Sequence, residues 1–597
     1  MAELRRDLPE PKDLSHHLTR STRARQASSI KSFYKYFAIP GIGQLAGGLP
    51  NPNYFPYDTL EAKVALPNRW TPRPNDPVDP PITRSTSRKD KSPAEARLLV
   101  PKSANTPDVL RKIDLTTALQ YGTAQGYPPL YQFLTEFTRD YLHPNVPYKG
   151  GPEIILTVGN TDGFAKCMQA FAEEWHEGED PPSERQGCLV EEYAYMNAIQ
   201  QVQSKGLNVV PVRMDEGGMT TEGPGGLRDV LENWDFSKGK MPHLMYTVTI
   251  GQNPTGAVLS VQRRKEIYAL CCKYDIIICE DDPYWYLQYP GGGCSNNYNT
   301  AGGGKSSGFP YLDSLVPSYL SMDYEGRVVR MDTFSKTVAP GCRLGWITAQ
   351  PALVERILRI TETSTQQPSG FVQAMIAELI MGPPDGPKNG SGGAKDGKGW
   401  RFDGWVRWLE GLRGEYQRRM ETMCGVLSAG KTIMKSGRRS SLSQLTADLN
   451  VNDGDRDEWS VIEQTKIYDF VRPLGGMFLW VRFDFGTHPL SKQVPGPRLA
   501  RALWIYFTTD AYKVLVGPGT MFAPTQEIKE RDAWECFRLC FAAAETHEIE
   551  EFSKRFVRGA KGFWKIKDKQ VIDDLLAEDE VEMLDASNAM GNLAGFC

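Results

Sequence analysis

A chain of 597 residues with a formal net charge of −4 is long enough to bury a large core and to form more than one domain, and two are expected. It lacks the strongly basic balance of a nucleic-acid binder, so small molecules are the expected ligands and no nucleic-acid partner is expected. No uninterrupted apolar span is long enough to cross a bilayer, and the opening MAELRRDLPEPKD carries charges and a proline where a signal peptide has its apolar core, so a cytoplasmic protein with no membrane partner is expected.

The 11 cysteines are scattered, with only Cys271 beside Cys272 and Cys536 near Cys540, which reads as reduced, mostly buried thiols rather than zinc knuckles. The 7 histidines show no HxxxH spacing, so no structural metal is expected and any zinc site would have to be assembled from distant positions.

Along the chain, Gly41-Ile-Gly43-Gln-Leu-Ala46 matches a dinucleotide fingerprint only loosely, because it follows Pro40 and lies between no strand and helix. Residues 72–92 are rich in Pro, Arg, Ser and Asp, while 291–308 and 382–398 are rich in Gly, Asn and Lys. Such stretches cannot bury enough apolar area to order firmly and are expected as flexible insertions. Within the second of them Gly304-Lys305-Ser306 fails as a phosphate-binding P-loop, since the required upstream glycine is Asn299.

Residues 153–158, 187–191, 207–211, 243–248 and 276–279 are short and apolar, and most are followed by stretches of helical character. This alternation predicts an α/β fold with a mainly parallel sheet covered on both faces, whose ligands lie at the carboxyl ends of the strands. After Gly399 come amphipathic helices over 405–429, a polar loop over 435–460 and an apolar strand over 475–483, which predict a second, smaller α+β domain. Residues 573–597, an acidic cluster followed by small residues, read as a frayed tail. The expected division is an arm over 1–60 that joins the small domain, a large domain over 61–380, a linker over 382–398, the small domain over 399–560 and a tail over 561–597.

Three strand-end loops carry the chemistry. Gly159-Asn160-Thr161-Asp162-Gly163 sits on a strand-to-helix turn that suits a phosphate, and it also mimics a nucleophile elbow with Thr in place of Ser, although no histidine follows in a partner motif. The strand over 276–279 runs into Glu280-Asp281-Asp282-Pro283-Tyr284, where a buried acid would keep a pyridine nitrogen protonated; a strand-end acid is also often a turn or helix cap. After the strand over 327–331 comes Asp332-Thr333-Phe334-Ser335-Lys336, then Gly341 and Arg343. A lysine here can form a Schiff base with an aldehyde, and Arg343 with the hydroxyls of Thr333 and Ser335 can hold a phosphate. A lone lysine would be an ordinary surface residue; this one is singled out by its neighbours. Upstream, Gly251-Gln-Asn253-Pro254-Thr-Gly256 brings an amide to the same edge or is simply a turn.

These segments, with Leu45-Ala-Gly-Gly-Leu-Pro-Asn-Pro-Asn-Tyr-Phe-Pro56 and Gly475-Gly-Met-Phe-Leu-Trp480, resemble the class I and II aminotransferases of pyridoxal-phosphate fold type I. Within that family they resemble the aromatic, 2-aminoadipate and kynurenine aminotransferase subgroup, and the insertion between Pro56 and Tyr121 resembles its longer fungal-type members. The resemblance runs from about Leu14 to about Phe556. It implies a seven-stranded-type sheet, pyridoxal 5′-phosphate as cofactor, and ping-pong transfer of an amino group between an L-amino acid and a 2-oxo acid such as 2-oxoglutarate. Lys336 would bind the aldehyde and shuttle the proton, with Asp281 as pyridinium partner, Tyr195 stacked on the ring, and Asn253 and Tyr284 donating to the ring oxygen. Arg343, Thr333, Ser335 and the turn of Thr161 and Asp162 would hold the phosphate. Tyr121 would reach the phosphate of a neighbouring subunit, which implies a homodimer. On the substrate side, Arg538 would grip the α-carboxylate, joined by Arg25, Gly48 and Asn253.

Two departures accompany the resemblance. Asp162 stands where a neutral residue is usual, and a carboxylate beside a phosphate repels it, so either only its backbone N–H faces the phosphate or the register differs there. The stretch from Asp281 to Lys336 is long, as the insertion over 291–308 would explain. A lyase or decarboxylase on the same fold is the alternative reading. A regulator with a winged helix-turn-helix is more remote, because the stretch before Leu45 is too short to hold that domain.

Overall fold

The computed structural model describes residues 8–27, 36, 39, 41–43, 48–72, 95–290, 304–381, 400–437 and 461–577. Most of each expected insertion, the loop over 438–460 and the last part of the expected tail lie outside these residues, as do residues 44–47 of the Leu45–Pro56 motif.

Seven strands form the central sheet: β1 (Glu153–Thr157), β2 (Gly187–Glu191), β3 (Asn208–Val212), β4 (Leu244–Thr247), β5 (Ile277–Asp281), β6 (Val328–Thr333) and β7 (Gly345–Ala349). Their order is β1-β7-β6-β5-β4-β2-β3. All are parallel except β7, which runs antiparallel to both β6 and β1. Such strands as Ile277-Ile-Cys-Glu-Asp281 are buried along their whole length, as expected of a sheet covered on both faces. The sequence reading foresaw β1 to β6 but not β7, because Gly345-Trp-Ile-Thr-Ala349 is a five-residue apolar run without alternation and follows directly on the Arg343 turn.

Successive side chains of a strand point to opposite faces, and the sheet uses this to separate two tasks. One face is covered by helix α1 (Asn160–Phe171), whose Phe164 ring packs 4.7 Å from that of Tyr246. Asp281 is on this side, bonded to both Asn160 and Tyr246. On the other face Met245 and Ile278 join a core with Ile267 and Leu270 of helix α2 (Val261–Lys273). Glu280 and Asp282 also point there, into a buried charge network. Arg330 meets Glu280 at 3.2 Å, Asp282 at 3.1 Å and Asp332 at 2.9 Å, while Arg264 meets Glu280 at 3.1 Å. Asp282 further accepts from the backbone of Thr249 at 2.8 Å, which ties the loop after β4 to the end of β5.

The chain divides into two compact units, Met1–Arg418 with Pro473–Met477, and Arg419–Arg472 with Phe478–Cys597. Three expected boundaries are corrected. The N-terminal arm belongs to the larger unit, since Thr19 N–H donates to Ala170 O at 2.8 Å and Lys12 N–H to Glu325 O at 2.9 Å. The first half of helix α3 (Arg401–Gly430) belongs there too, with Trp408 Nε1 donating to Thr337 O at 2.8 Å. The expected tail begins inside a helix, Thr546–Phe563; residues 569–577 are helical as well, with Ile572 buried and Asp573 paired to Arg498 at 3.0 Å. The start of the expected polar loop is likewise ordered, as Thr432–Gly437 pairs antiparallel with Val461–Lys466. The smaller unit also holds an antiparallel sheet in the order Tyr468–Phe470, Phe478–Phe483, Cys536–Cys540, Gly517–Pro518. Phe483 anchors its core against Phe507, Phe556 and Trp564.

Removing Arg330 would leave Asp332 without an ion-pair partner and deprive Glu280 and Asp282 of a cation within a dry network. Arg330→Met is expected to destabilise the protein by about 3–5 kcal/mol, read as a fall in its urea unfolding midpoint. A change below about 1 kcal/mol would show that the network carries little of the fold's stability.

Candidate active site

Strands β1, β2, β4, β5 and β6 run in one direction, so the loops after them emerge at one edge of the sheet. At that edge, in the strand ends, the loops and the first turn of α1, lie ten of the sequence-predicted residues: Thr161 and Asp162, Tyr195, Asn253, Asp281 and Tyr284, and Thr333, Ser335, Lys336 and Arg343.

Asp281 is the last residue of β5 and only 8% exposed. Its Oδ1 accepts from Asn160 Nδ2 at 2.7 Å and its Oδ2 from the Tyr246 hydroxyl at 2.7 Å. Burial pushes this carboxyl up to about 6; the two donors pull it back, and the nearby Asp282 and Asp332 push it up further. A buried acid with both oxygens already bonded is fixed in orientation and is suited to pair with a cationic ring N–H. Tyr246 and Asn160 escaped the sequence reading as partners. Asn160 lay inside a motif read for its backbone, and Tyr246 lies in an apolar strand, where an aromatic reads as core.

Lys336 lies in the turn after β6, held by Phe334 N–H to Leu344 O at 3.0 Å and Val338 N–H to Phe334 O at 2.8 Å. Its Nζ is 5.9 Å from the centroid of the buried Tyr284 ring. Asn253 is buried in the loop after β4, which Gln252 secures by donating to Tyr193 O at 2.6 Å and accepting from Thr255 N–H at 2.9 Å. Gly251 opens that loop with φ +57°, and a Cβ there would lie 2.3 Å from Gly476 Cα, so both the conformation and the close approach call for glycine. Tyr195 caps the helix Met196–Gln203, and its hydroxyl accepts from Asn197 at 2.8 Å.

A second corner is built for an anion. Helix α1 opens after Gly159, at φ +86°, and its first internal bond runs from Gly163 N–H to Gly159 O at 3.0 Å, so the N–H groups of Asn160, Thr161 and Asp162 precede it. Arg343, in left-handed backbone at φ +43°, lays its guanidinium against this turn, donating to Val158 O at 3.2 Å and to Ser335 Oγ at 3.4 Å. Thr333 Oγ1 is 2.9 Å from Ser335 Oγ. A Cβ at Gly159 would stand 2.6 Å from Arg343 Nη2.

The side chain of Asp162 does not face that corner as an open charge. It accepts from Val158 N–H at 2.9 Å and from the buried Lys166, which neutralises it. Its side chain is thus taken up by Val158 N–H and Lys166, and its backbone N–H lies in the first turn of α1. Lys166, one helical turn on, went unread in the sequence because a lysine at that spacing reads as a solvated face.

The remaining predicted residues are Tyr121, Arg25, Gly48 and Arg538. Tyr121 is 67% exposed. Arg25 donates to Thr363, and its backbone carbonyl accepts from Arg356 at 3.4 Å and Arg359 at 3.3 Å, so it is committed to the end of the helix Pro351–Glu362. Gly48 is exposed, and a Cβ there would meet nothing within 4 Å. Arg538 lies in the smaller unit, its guanidinium 4.4 Å from the Phe478 ring and 4.7 Å from the Phe522 ring. Two aromatic faces pack against its guanidinium.

Residues 100–430 match the family model of class I and II aminotransferases. An aromatic amino acid aminotransferase of Schizosaccharomyces pombe is 32% identical over 93% of this chain and 99% of its own. The chain belongs to the class I and II aminotransferases. It is a pyridoxal 5′-phosphate enzyme. An L-tyrosine:2-oxoglutarate aminotransferase of Tapinella panuoides is 33% identical over 81% of this chain and 76% of its own. Among solved structures, the aminotransferase Aro8 of Candida albicans is 30% identical, with a TM-score of 0.69 over 94% of this chain and 100% of that one. The buried acid and the anion corner fit the cofactor on this chain's own geometry: one suits its ring nitrogen, the other its phosphate. No helix among the described residues is long and apolar enough to cross a membrane.

In the aminotransferase stripped of cofactor, the raised carboxyl of Asp281 binds its proton more tightly folded than unfolded. Its contribution is therefore fully present below the ordinary value of 3.8 and lost as pH rises through about 6. Relative to Asp281→Asn, the wild-type apoenzyme should lose about 3 kcal/mol of stability between about pH 4 and pH 7. Unfolding midpoints of both proteins across that range test this, and a gap that does not vary with pH would refute it.

Proposed function

We propose that this aminotransferase moves the amino group of an aromatic L-amino acid to a 2-oxo acid such as 2-oxoglutarate by a ping-pong mechanism, with 2-aminoadipate and kynurenine as the other donors in view. The observation that carries the reading is the buried Asp281 carboxylate, aligned by Tyr246 and Asn160 at the edge where the Lys336 turn emerges. The aromatic preference is supported by relatives named as aromatic amino acid and tyrosine aminotransferases.

In this reading pyridoxal 5′-phosphate supplies an aldehyde that condenses with amines and a protonated ring that accepts the electron pair released at the substrate carbon. Lys336 Nζ would hold the cofactor's aldehyde, and as a free amine it would be the base that takes the proton from the substrate Cα and the acid that passes the same proton to the cofactor carbon. Asp281 keeps the ring nitrogen protonated, Asn253 and Tyr284 orient the ring oxygen, and Tyr195 covers the ring face. Arg343, Ser335, Thr333 and the N–H groups at Thr161 and Asp162 take the phosphate, while Arg538 takes the substrate carboxylate with its bidentate fork. Arg25 and Gly48 complete the substrate side. Tyr121, an exposed tyrosine, serves the phosphate of a second subunit, so the working enzyme is a homodimer. The compartment is the cytoplasm, in keeping with free, buried thiols such as Cys167 and Cys188.

Supplied with phenylalanine or tyrosine and 2-oxoglutarate, the enzyme should form glutamate and the matching aromatic 2-oxo acid, with parallel lines in double-reciprocal initial-rate plots. Intersecting lines, or release of carbon dioxide and an amine, would overturn the reading. Lys336→Ala should lower kcat by at least about 10²–10⁴-fold, and borohydride reduction with peptide mapping should find the cofactor on Lys336 in the wild type. Arg538→Lys should raise KM for donor and acceptor alike while leaving cofactor content unchanged; a loss of bound cofactor instead would assign the arginine a different role.

A further inference from the structure

The opposite edge of the sheet, where β4 and β5 begin, holds a second set of convergent groups. His16 and His17 lie in the single turn Ser15–His17, and Asp275 lies in the turn before β5. Both imidazoles address one carboxylate oxygen, with His16 Nε2 at 2.6 Å and His17 Nε2 at 3.3 Å from Asp275 Oδ2. The ligand atoms of the three residues all lie within 4.8 Å of one another. The His17 side chain is only 4% exposed, and its Nε2 shares the one Asp275 oxygen with the closer His16. A buried ring nitrogen that shares its acceptor with a second donor is only partly satisfied, and a cation between the three groups would engage all of them.

We propose that His16, His17 and Asp275 form a binding site for a zinc-class divalent cation. Two imidazoles and a carboxylate, with a fourth position left open, are a recurrent zinc donor set. Tetrahedral ligands at ordinary zinc distances stand about 3.3 Å apart, which is the His17–Asp275 spacing, and the His16–Asp275 pair needs to open by less than about 1 Å. The other oxygen of Asp275 faces Arg327 at 3.5 Å and Lys12 at 3.6 Å, so the carboxylate is anchored through Oδ1 while Oδ2 serves the histidines. His17 is oriented by stacking on His243, whose rings lie 5.7 Å apart at 11°, and His243 Nε2 is itself bonded to Phe171 O at 3.0 Å. The fourth position opens on a cavity of about 490 Å³ bordered by Glu173, Lys240 and Tyr274. Bound there, the metal clips the N-terminal segment to the turn before β5, away from the edge that carries Lys336.

Titrating zinc into chelator-treated holoenzyme, followed by calorimetry, should reveal one ion per chain. Cobalt substitution should give visible d–d bands of tetrahedral type. His17→Ala and Asp275→Asn should each weaken binding by at least about 10-fold while transamination and cofactor content hold. If His17→Ala fails to fold, His16→Gln, whose side chain is 55% exposed, removes a ligand without disturbing the core and should show the same loss. Failure to take up zinc, equal affinity in the variants, or a cobalt–thiolate charge-transfer band would overturn the site.

Discussion

A carboxylate held almost out of water at the end of a parallel strand is the constraint around which this enzyme is arranged. Left alone, burial would keep Asp281 protonated, and its value of about 6 shows how closely that tendency is balanced. Tyr246 and Asn160 supply one hydrogen bond to each oxygen and so favour the charged form. They come from the neighbouring strand and from the helix that covers it, which means that the acid is poised only when β4, β5 and α1 are in register. A cationic ring N–H brought against it would complete the balance, since opposite charge in a dry site favours both partners.

The same helix serves the anion corner. Its first turn leaves N–H groups uncommitted by helical bonding, and Gly159 lets Arg343 approach to a distance that any side chain at that position would block. Asp162 would oppose an anion there, but its charge is turned back on Val158 N–H and neutralised by Lys166. The first turn of α1 thus contributes to both, through the Asn160 side chain at the acid and the backbone N–H groups at the anion corner.

The alternation of strand side chains keeps this chemistry apart from the groups that hold the strand ends together. Asp281 faces α1, whereas Glu280 and Asp282 turn to the other side and meet Arg330 and Arg264. Three consecutive acids in the sequence therefore do unlike things. The outer two pair with arginines and tie the loop after β4 to the end of β5, and the middle one is left for a ligand.

The order of apolar segments and the Lys336, Asp281 and Arg343 loops were legible in the residues because period, turn chemistry and the donor types of a cofactor are local properties. Five parallel strands with loops at one edge follow from that pattern alone. What escaped was set by contacts between residues far apart in the chain. The antiparallel β7 has no periodic signature, Tyr246 becomes a polar partner of Asp281 only once β4 and β5 lie side by side, and the arm over residues 8–27 joins the larger unit through backbone bonds that no composition encodes. His16 and His17 meet Asp275 from 259 and 258 positions away, a distance over which spacing rules say nothing and only the folded chain decides.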